Sequence, residues 1–185
     1  MRITGGSLRG RLLRVPTGKA TRPTSSKVRE AVFNIVGGRI VDARVLDLFA
    51  GSGALGIEAL SRGAESATFV ESSPAAVRAI AENLEKLELD ERAQVMRGSA
   101  ASALERLAAA GEKFRVVFAD PPYAGRAAEE TLAAVAASGV LSPAAIVIVE
   151  HTKRQELSGQ FGSLGLASSR RYGDTVVSVY APAGD

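Results

Sequence analysis

The sequence contains no cysteine and a single histidine, His151. Disulfides, thiolate metal sites and multi-histidine metal sites are therefore excluded, no metal is expected, and any catalysis has to come from other groups. There is no run of eighteen or more apolar residues, and Met1 to Arg14 lack the apolar core of a signal peptide. The expectation is a cytoplasmic protein with no membrane contact. Low-complexity tracts and internal repeats are missing as well, which sets aside linker-rich and solenoid architectures. Acidic residues are absent from the first 29 positions, a stretch that holds eight Lys or Arg.

The 185 residues, 46% apolar and 23% charged, fit one globular domain with a substantial core. The net charge of +3 hides an asymmetry: the first 29 residues carry +8, whereas from Glu30 onward 15 Lys and Arg face 20 Asp and Glu. The basic positions are Arg2, Arg9, Arg11, Arg14, Lys19, Arg22, Lys27 and Arg29, interspersed with Gly5, Gly6, Gly10, Pro16, Gly18 and Pro23. This composition divides the chain into a basic N-terminal arm, residues 1–23, and a catalytic domain, residues 24–185. Such an arm suits a polyanion, the competing reading being a solvated segment that aids only solubility. Arg2 to Thr4 and Arg11 to Val15 are predicted to pair as a β-hairpin, with the intervening glycines making the turn.

From about Thr24 to Val36 the residues Val28, Val32, Ile35 and Val36 fall at helical spacing, with Gly37 as a stop. Beyond it, apolar strands at about Arg44 to Ala50, Ala67 to Glu71, Gln94 to Arg97, Val116 to Asp120 and Ala145 to Glu150 alternate with helical stretches. The helices fit Ala54 to Arg62, Pro74 to Leu87, Ala101 to Ala110 and Ala127 to Ala137. This alternation predicts a doubly wound α/β fold: a mostly parallel, seven-stranded, Rossmann-like sheet with helices on both faces. Ala167 to Tyr172 and Thr175 to Tyr180 flank Gly173 and Asp174 and predict an antiparallel C-terminal hairpin at the sheet edge.

The first chemical motif follows the first strand: Asp47, Leu48, Phe49, Ala50, Gly51, Ser52, Gly53, Ala54, Leu55, Gly56. Its G-x-G-x-x-G pattern permits a tight turn and lets a nucleotide-like ligand approach the backbone where the next helix begins. Glu71, twenty residues after Gly51, closes the second strand, where a carboxylate can accept both hydrogen bonds of a ribose diol. NAD and S-adenosylmethionine both satisfy these features. Asp47 favours S-adenosylmethionine, because its carboxylate can face the ammonium of a methionine moiety but sits badly beside a pyrophosphate.

The second motif, Asp120-Pro121-Pro122-Tyr123, ends the fourth strand and so lies on the same sheet edge as the glycine loop. An exocyclic amine on a nucleobase is a poor nucleophile because its lone pair is delocalised into the ring. The Asp120 carboxylate and the Pro121 carbonyl can each accept one amino hydrogen, drawing the nitrogen toward tetrahedral geometry. The prolines fix the backbone, and Tyr123 can stack on the target base.

Together these motifs resemble the class I S-adenosylmethionine-dependent amino-methyltransferases. Adding Arg2-Ile3-Thr4-Gly5-Gly6, Arg9-Gly10-Arg11, Arg22-Pro23-Thr24 and Val28-Arg29-Glu30, nearly the whole chain resembles the bacterial 16S ribosomal RNA guanine-N(2)-methyltransferases of the small subunit. The resemblance implies a guanine 2-amino target within the 30S subunit or an assembly intermediate, and a basic extension that binds RNA. By position it implies catalysis at Asp120, Pro121, Pro122 and Tyr123. It places the cofactor against Asp47, Phe49, Ala50, Gly51, Ser52, Gly53, Glu71 and Ser72, with Ser99 and Ala100 bordering adenine. Many relatives carry an acid at the Ser99 position, so a role for Ser99 as a plain helix cap stands beside the adenine reading. A DNA adenine or cytosine amino-methyltransferase, a protein glutamine methyltransferase and a nicotinamide dehydrogenase are the competing functions. They leave, respectively, no DNA-recognition region beyond the arm, no purpose for the arm's charge, and no acid–base histidine at a substrate site. Arg170 and Arg171 read as ordinary exposed strand residues, and His151 as structural or solvent-facing.

Overall fold

The computed structural model describes residues 1–16, 25–123 and 125–182. Helix α1, Ser26–Val36, starts where the Ser25 hydroxyl accepts the Val28 N–H and stops at Gly37; Thr24, its expected first residue, lies outside the described residues. Alternation then runs β1 (Arg44–Asp47), α2 (Ala54–Ser61), β2 (Ser66–Glu71), α3 (Pro74–Leu87), β3 (Ala93–Arg97), α4 (Ala100–Ala109), β4 (Phe114–Ala119), α5 (Ala127–Ser138) and β5 (Leu141–Thr152). Three further strands follow, β6 (Gln160–Phe161), β7 (Leu164–Tyr172) and β8 (Thr175–Pro182). One sheet takes them all in the order β3-β2-β1-β4-β5-β8-β7-β6. The first five strands pair in parallel, and β5, β8, β7 and β6 pair antiparallel.

Strand periodicity divides the core between two faces. Val45 faces the layer of α1, α2 and α3, packing with Phe33, Ile57, Leu60 and Ile80. Its neighbour Leu46 faces α4 and α5, packing with Leu104, Leu107, Leu132 and Val135. Helices therefore cover both faces, as the sequence predicts.

The sheet has eight strands rather than seven. The addition, β6, is two residues long and pairs only with Leu164 and Gly165, too short to produce a periodic signal. Strand β5 also begins earlier than Ala145, at Leu141, which pairs with Phe114 before the register with β4 shifts between Phe114 and Val116. Pro143 falls in that irregular stretch, where its missing N–H interrupts no regular ladder.

The basic extension differs most from expectation. Its predicted hairpin forms, with Arg2 and Leu12 bridged antiparallel, the Ile3 N–H donating to the Arg11 carbonyl and the Leu13 N–H to the Met1 carbonyl, but residues 1–16 pack on the domain instead of forming a separate arm. Ile3 and Leu13 are buried in the α1–α3 layer. Gly6, at φ +80°, lies so close to α2 that a Cβ would come within 1.9 Å of the Ser61 carbonyl oxygen, and the Ser7 N–H donates to that same oxygen at 2.8 Å. Only glycine fits this approach.

The attachment centres on Glu58, fully buried in α2. Its carboxylate accepts the Thr4 N–H (3.2 Å) and hydroxyl, the Arg29 Nε (2.8 Å) and the Arg62 guanidinium. Arg29 is only 1% exposed and donates its Nη2 to the Arg2 carbonyl. It is therefore withdrawn from the RNA-binding residues: both ends of its guanidinium are committed inside the protein, where no phosphate can reach.

Candidate active site

The glycine loop leaves β1 at Asp47 and enters α2 at Ala54. Gly51 and Gly53 take left-handed conformations, φ 56° and 79°, which side chains rarely adopt. A Cβ on Gly51 would meet nothing within 4 Å, so the loop is open on that side, whereas one on Gly56 would come within 2.2 Å of the Phe69 ring. The third glycine of the motif thus permits α2 to pack on β2. The loop is fastened by the Leu48 N–H to the Phe118 carbonyl and by the Ala50 N–H to the Val70 carbonyl, each 3.0 Å.

Three carboxylates gather around it. Asp47, 1% exposed, accepts the Gly56 N–H at 3.2 Å and so braces the loop from beneath. Its carboxyl is pushed up to about 7, chiefly by burial, with the Asp120 and Glu71 carboxylates adding to the rise and the Gly56 N–H opposing it. Glu71, at the end of β2, accepts the Gly51 N–H through Oε2 and the Ser73 N–H through Oε1, both at 2.8 Å, and the Ser72 hydroxyl at 3.5 Å. Oε2 keeps a second acceptor position, and Oε1 gains one when the Ser72 hydroxyl, at the long limit of hydrogen bonding, rotates away. Asp120 is half-buried immediately after β4. Because Asp47 pairs with Phe118 on the adjacent strand, the glycine loop and Asp120 emerge side by side, about 5 Å apart in strand spacing.

In Asp120-Pro121-Pro122-Tyr123, Pro121 is buried and Pro122 exposed, while Tyr123 is 43% exposed, presenting an aromatic ring at the rim. Phe49 packs partly buried against the α4–α5 layer, and Ala50 and Ser52 are buried in the loop. Ser99 caps α4, its hydroxyl accepting the Ser102 N–H at 3.2 Å, and Ala100 is the first residue of that helix.

Asn83 joins the site without having been singled out in the sequence. Fully buried on α3, it donates to the Arg14 carbonyl (2.9 Å) and the Ser52 carbonyl (3.1 Å) and accepts the Arg14 N–H (2.7 Å). One amide thereby joins the N-terminal segment to the glycine loop. Its signal was a polar residue in register with Ala76, Ala79, Ile80, Leu84 and Leu87, the buried face of α3.

Arg2, Arg9, Arg11, Arg14 and Lys27 are exposed; Lys19 and Arg22 lie outside the described residues. The turn at Gly5 to Leu8 is held at Ser61, the far end of α2, about 12 Å of helix from the glycine loop. Since α2 returns to the starting edge of the sheet, this turn sits opposite Asp120. Only Arg14 approaches the loop, through Asn83, and its side chain pairs with Glu82. His151 is buried in β5; its Nε2 bonds the Ser178 hydroxyl at 2.9 Å and its Nδ1 donates to the Thr152 carbonyl at 3.1 Å. Among the described residues no cluster of three or more His, Cys, Asp or Glu is placed to hold a metal ion, and no helix is long and apolar enough to cross a membrane.

The raised Asp47 carboxyl gives a pH prediction. Between its ordinary value of 3.8 and about 7, the folded protein holds a proton there that the unfolded chain has released. The contribution is fully present below about 4 and is lost as pH rises through about 7. Asp47→Asn keeps an oxygen acceptor for Gly56 and removes the titration. The difference in melting temperature between variant and native protein is therefore expected to shift in the variant's favour from pH 5 to pH 8.5; a constant difference would contradict the assignment.

A doubly wound, mostly parallel sheet with antiparallel C-terminal strands and helices on both faces is the fold of the Rossmann-like methyltransferases. The chain belongs to the family described as Conserved hypothetical protein 95, whose model matches residues 1–181. A Bacillus subtilis (strain 168) relative is 40% identical over 184 residues, covering all of both chains. Ribosomal RNA small subunit methyltransferase D of Escherichia coli (strain K12) is 43% identical over 150 residues, 81% of this chain and 74% of that one. A solved protein of Thermus thermophilus superimposes with a TM-score of 0.84 at 34% identity, covering 97% of this chain and 98% of its own.

Proposed function

We propose that the protein transfers the methyl group of S-adenosylmethionine to the exocyclic 2-amino group of a guanine in 16S ribosomal RNA of the small subunit. The carrying observation is that Glu71 and Asp120 stand at one sheet edge beside the glycine loop, with Asp47 buried beneath that loop, close enough for both carboxylates to raise the Asp47 carboxyl. A ligand bearing ammonium and sulfonium charges relieves that repulsion, whereas a pyrophosphate would aggravate it. The bound cofactor supplies an electrophilic methyl group; the chain's residues position its acceptor.

Glu71 takes the ribose hydroxyls on its remaining acceptor positions, and the Gly51 to Gly53 backbone lies against the cofactor. Ser72, Ser99 and Ala100 border the nucleoside. Asp120 and the Pro121 carbonyl accept the two amino hydrogens, Pro122 fixes the turn, and Tyr123 stacks on the base. A nitrogen–carbon bond forms as the carbon–sulfur bond breaks, and the displaced amino proton leaves through Asp120 to solvent. Ribosomal RNA as the substrate class is supported by the activity named for the Escherichia coli relative, and guanine by the sequence resemblance. Arg14, joined to the glycine loop through Asn83, is the described candidate of the extension for a phosphate contact near the site, with Lys19, Arg22 and Lys27 candidates from the sequence; Arg2, Arg9 and Arg11 would reach only RNA that extends around α2.

Glu71→Ala is expected to weaken S-adenosylmethionine binding by at least about tenfold, since two charge-assisted hydrogen bonds are lost at roughly 1.5–3 kcal/mol each before relaxation. Isothermal titration of the folded variant measures it; unchanged affinity would remove Glu71 from the ribose role. The function itself is tested by supplying tritiated S-adenosylmethionine with 30S particles and, separately, with duplex DNA. Label is expected in the ribosomal RNA alone, and label in DNA alone would transfer the same amino chemistry to a different substrate.

A further inference from the structure

The cofactor residues lie on β1 and β2, at one side of Asp120 in the sheet order. On the functional reading above, this leaves the other side, over the ends of β5, β8 and β7, open to further contacts with the RNA. The register fixes what lies there. Asp120 follows the Ala119–Val149 pair, one step along from it Glu150 pairs with Val177, and Val177 pairs with Arg170. Arg170 is thus nearly level with Asp120, three strand spacings or about 14 Å across the sheet. Arg171 is one residue nearer the edge, and its Nε donates to the Gly173 carbonyl at 2.8 Å, which holds the guanidinium at the β7–β8 turn.

The segment after β5 joins this turn to the active-site loop. The Lys153 N–H donates to the Asp174 carbonyl at 3.0 Å, and the Gln155 side-chain amide donates to the Gly125 carbonyl at 3.3 Å. Arg154, between these two anchors, is exposed, as are Arg170 and Arg171. None of the ion pairs among the described residues uses any of the three. Two neighbouring cations are already engaged, Lys153 with Asp174 and Arg126 with Glu129, each at 2.6 Å.

We propose that Arg154, Arg170 and Arg171 form a phosphate-binding rim for single-stranded RNA flanking the target base. The proposal rests on the functional reading above and names the substrate-side surface for it. A base whose amino group is to reach Asp120 must be splayed from its helix, leaving its flanking phosphates to be held by the protein. The rim lies where such a strand would run once the cofactor fills the β1–β2 side.

The test uses the full chain with the triple variants Arg154→Gln/Arg170→Gln/Arg171→Gln and Arg154→Glu/Arg170→Glu/Arg171→Glu, on 30S particles. The glutamate variant is expected to raise KM for the particle at least tenfold, with S-adenosylmethionine affinity and melting temperature unchanged. Each phosphate contact on a single strand contributes about 0.7 to the salt slope, so the glutamine variant should reduce the slope of log affinity against log salt by about 2. Native protein that methylates 30S particles alongside variants with native KM and slope overturns the rim alone. Native protein that methylates no ribosomal RNA overturns the functional reading and the rim with it.

Discussion

Replacing Asp120 by alanine is expected to slow single-turnover methyl transfer to 30S ribosomal RNA by about 10²- to 10⁴-fold, the scale of a positioned proton acceptor, while S-adenosylmethionine affinity changes little. The carboxylate stands half-buried at the end of β4 beside the glycine loop, so its loss removes an acceptor for the amino hydrogens without disturbing the packed strands. Asp120→Asn should be milder, because the amide oxygen still accepts one hydrogen bond. Rapid mixing of preformed enzyme–cofactor complex with excess enzyme over particles isolates the chemical step. Native rates for both variants would exclude Asp120 as the activating group.

The largest effect on stability is expected at Glu58. Glu58→Ala leaves the Arg29 guanidinium buried without its carboxylate and strips the Thr4 N–H of its acceptor. Breaking one side of a buried ion pair costs about 3–5 kcal/mol, which for a chain of this size lowers the melting temperature by roughly 6–20 °C. The double variant Arg29→Met/Glu58→Leu should melt closer to the native protein than Glu58→Ala does, because no buried charge is stranded. A Glu58→Ala protein that melts within 2 °C of native would show that the cluster does not hold the extension to α2. It follows that the extension's contribution to RNA binding is better tested by neutralising exposed charges than by deleting residues 1–20, a change that would also remove Ile3 and Leu13 from the core.

The parallel half of the fold was legible because its strands are buried on both faces and its helices are amphipathic. Residues Pro74–Leu87 of α3 match their predicted limits, with Ser73 capping and Pro74 in the first turn. The site motifs were legible for a related reason: Gly51, Gly53 and Gly56 each answer a backbone demand, and Asp120 directly follows a strand. What remained hidden depended on tertiary partners. Arg29 contributed to a count of positive charges, yet its spacing from Val32 and Val36 put it on the buried face of α1, where Glu58 accepts it. Glu58 is equally unreadable alone, since a glutamate in a helix is ordinarily a solvated residue. Asn83 gave a weak signal by falling in an apolar register. The importance of Arg170 and Arg171 appears only when strand pairing aligns them with Asp120.

The most direct test of the central claim is nucleoside mass spectrometry of 16S ribosomal RNA after 30S particles lacking the modification are incubated with the native protein and methyl-deuterated S-adenosylmethionine. The account predicts deuterated N2-methylguanosine at one position, abolished or greatly slowed with Asp120→Ala. Deuterium in a methylated adenosine or cytidine, in a base carbon or in a ribose hydroxyl would contradict it.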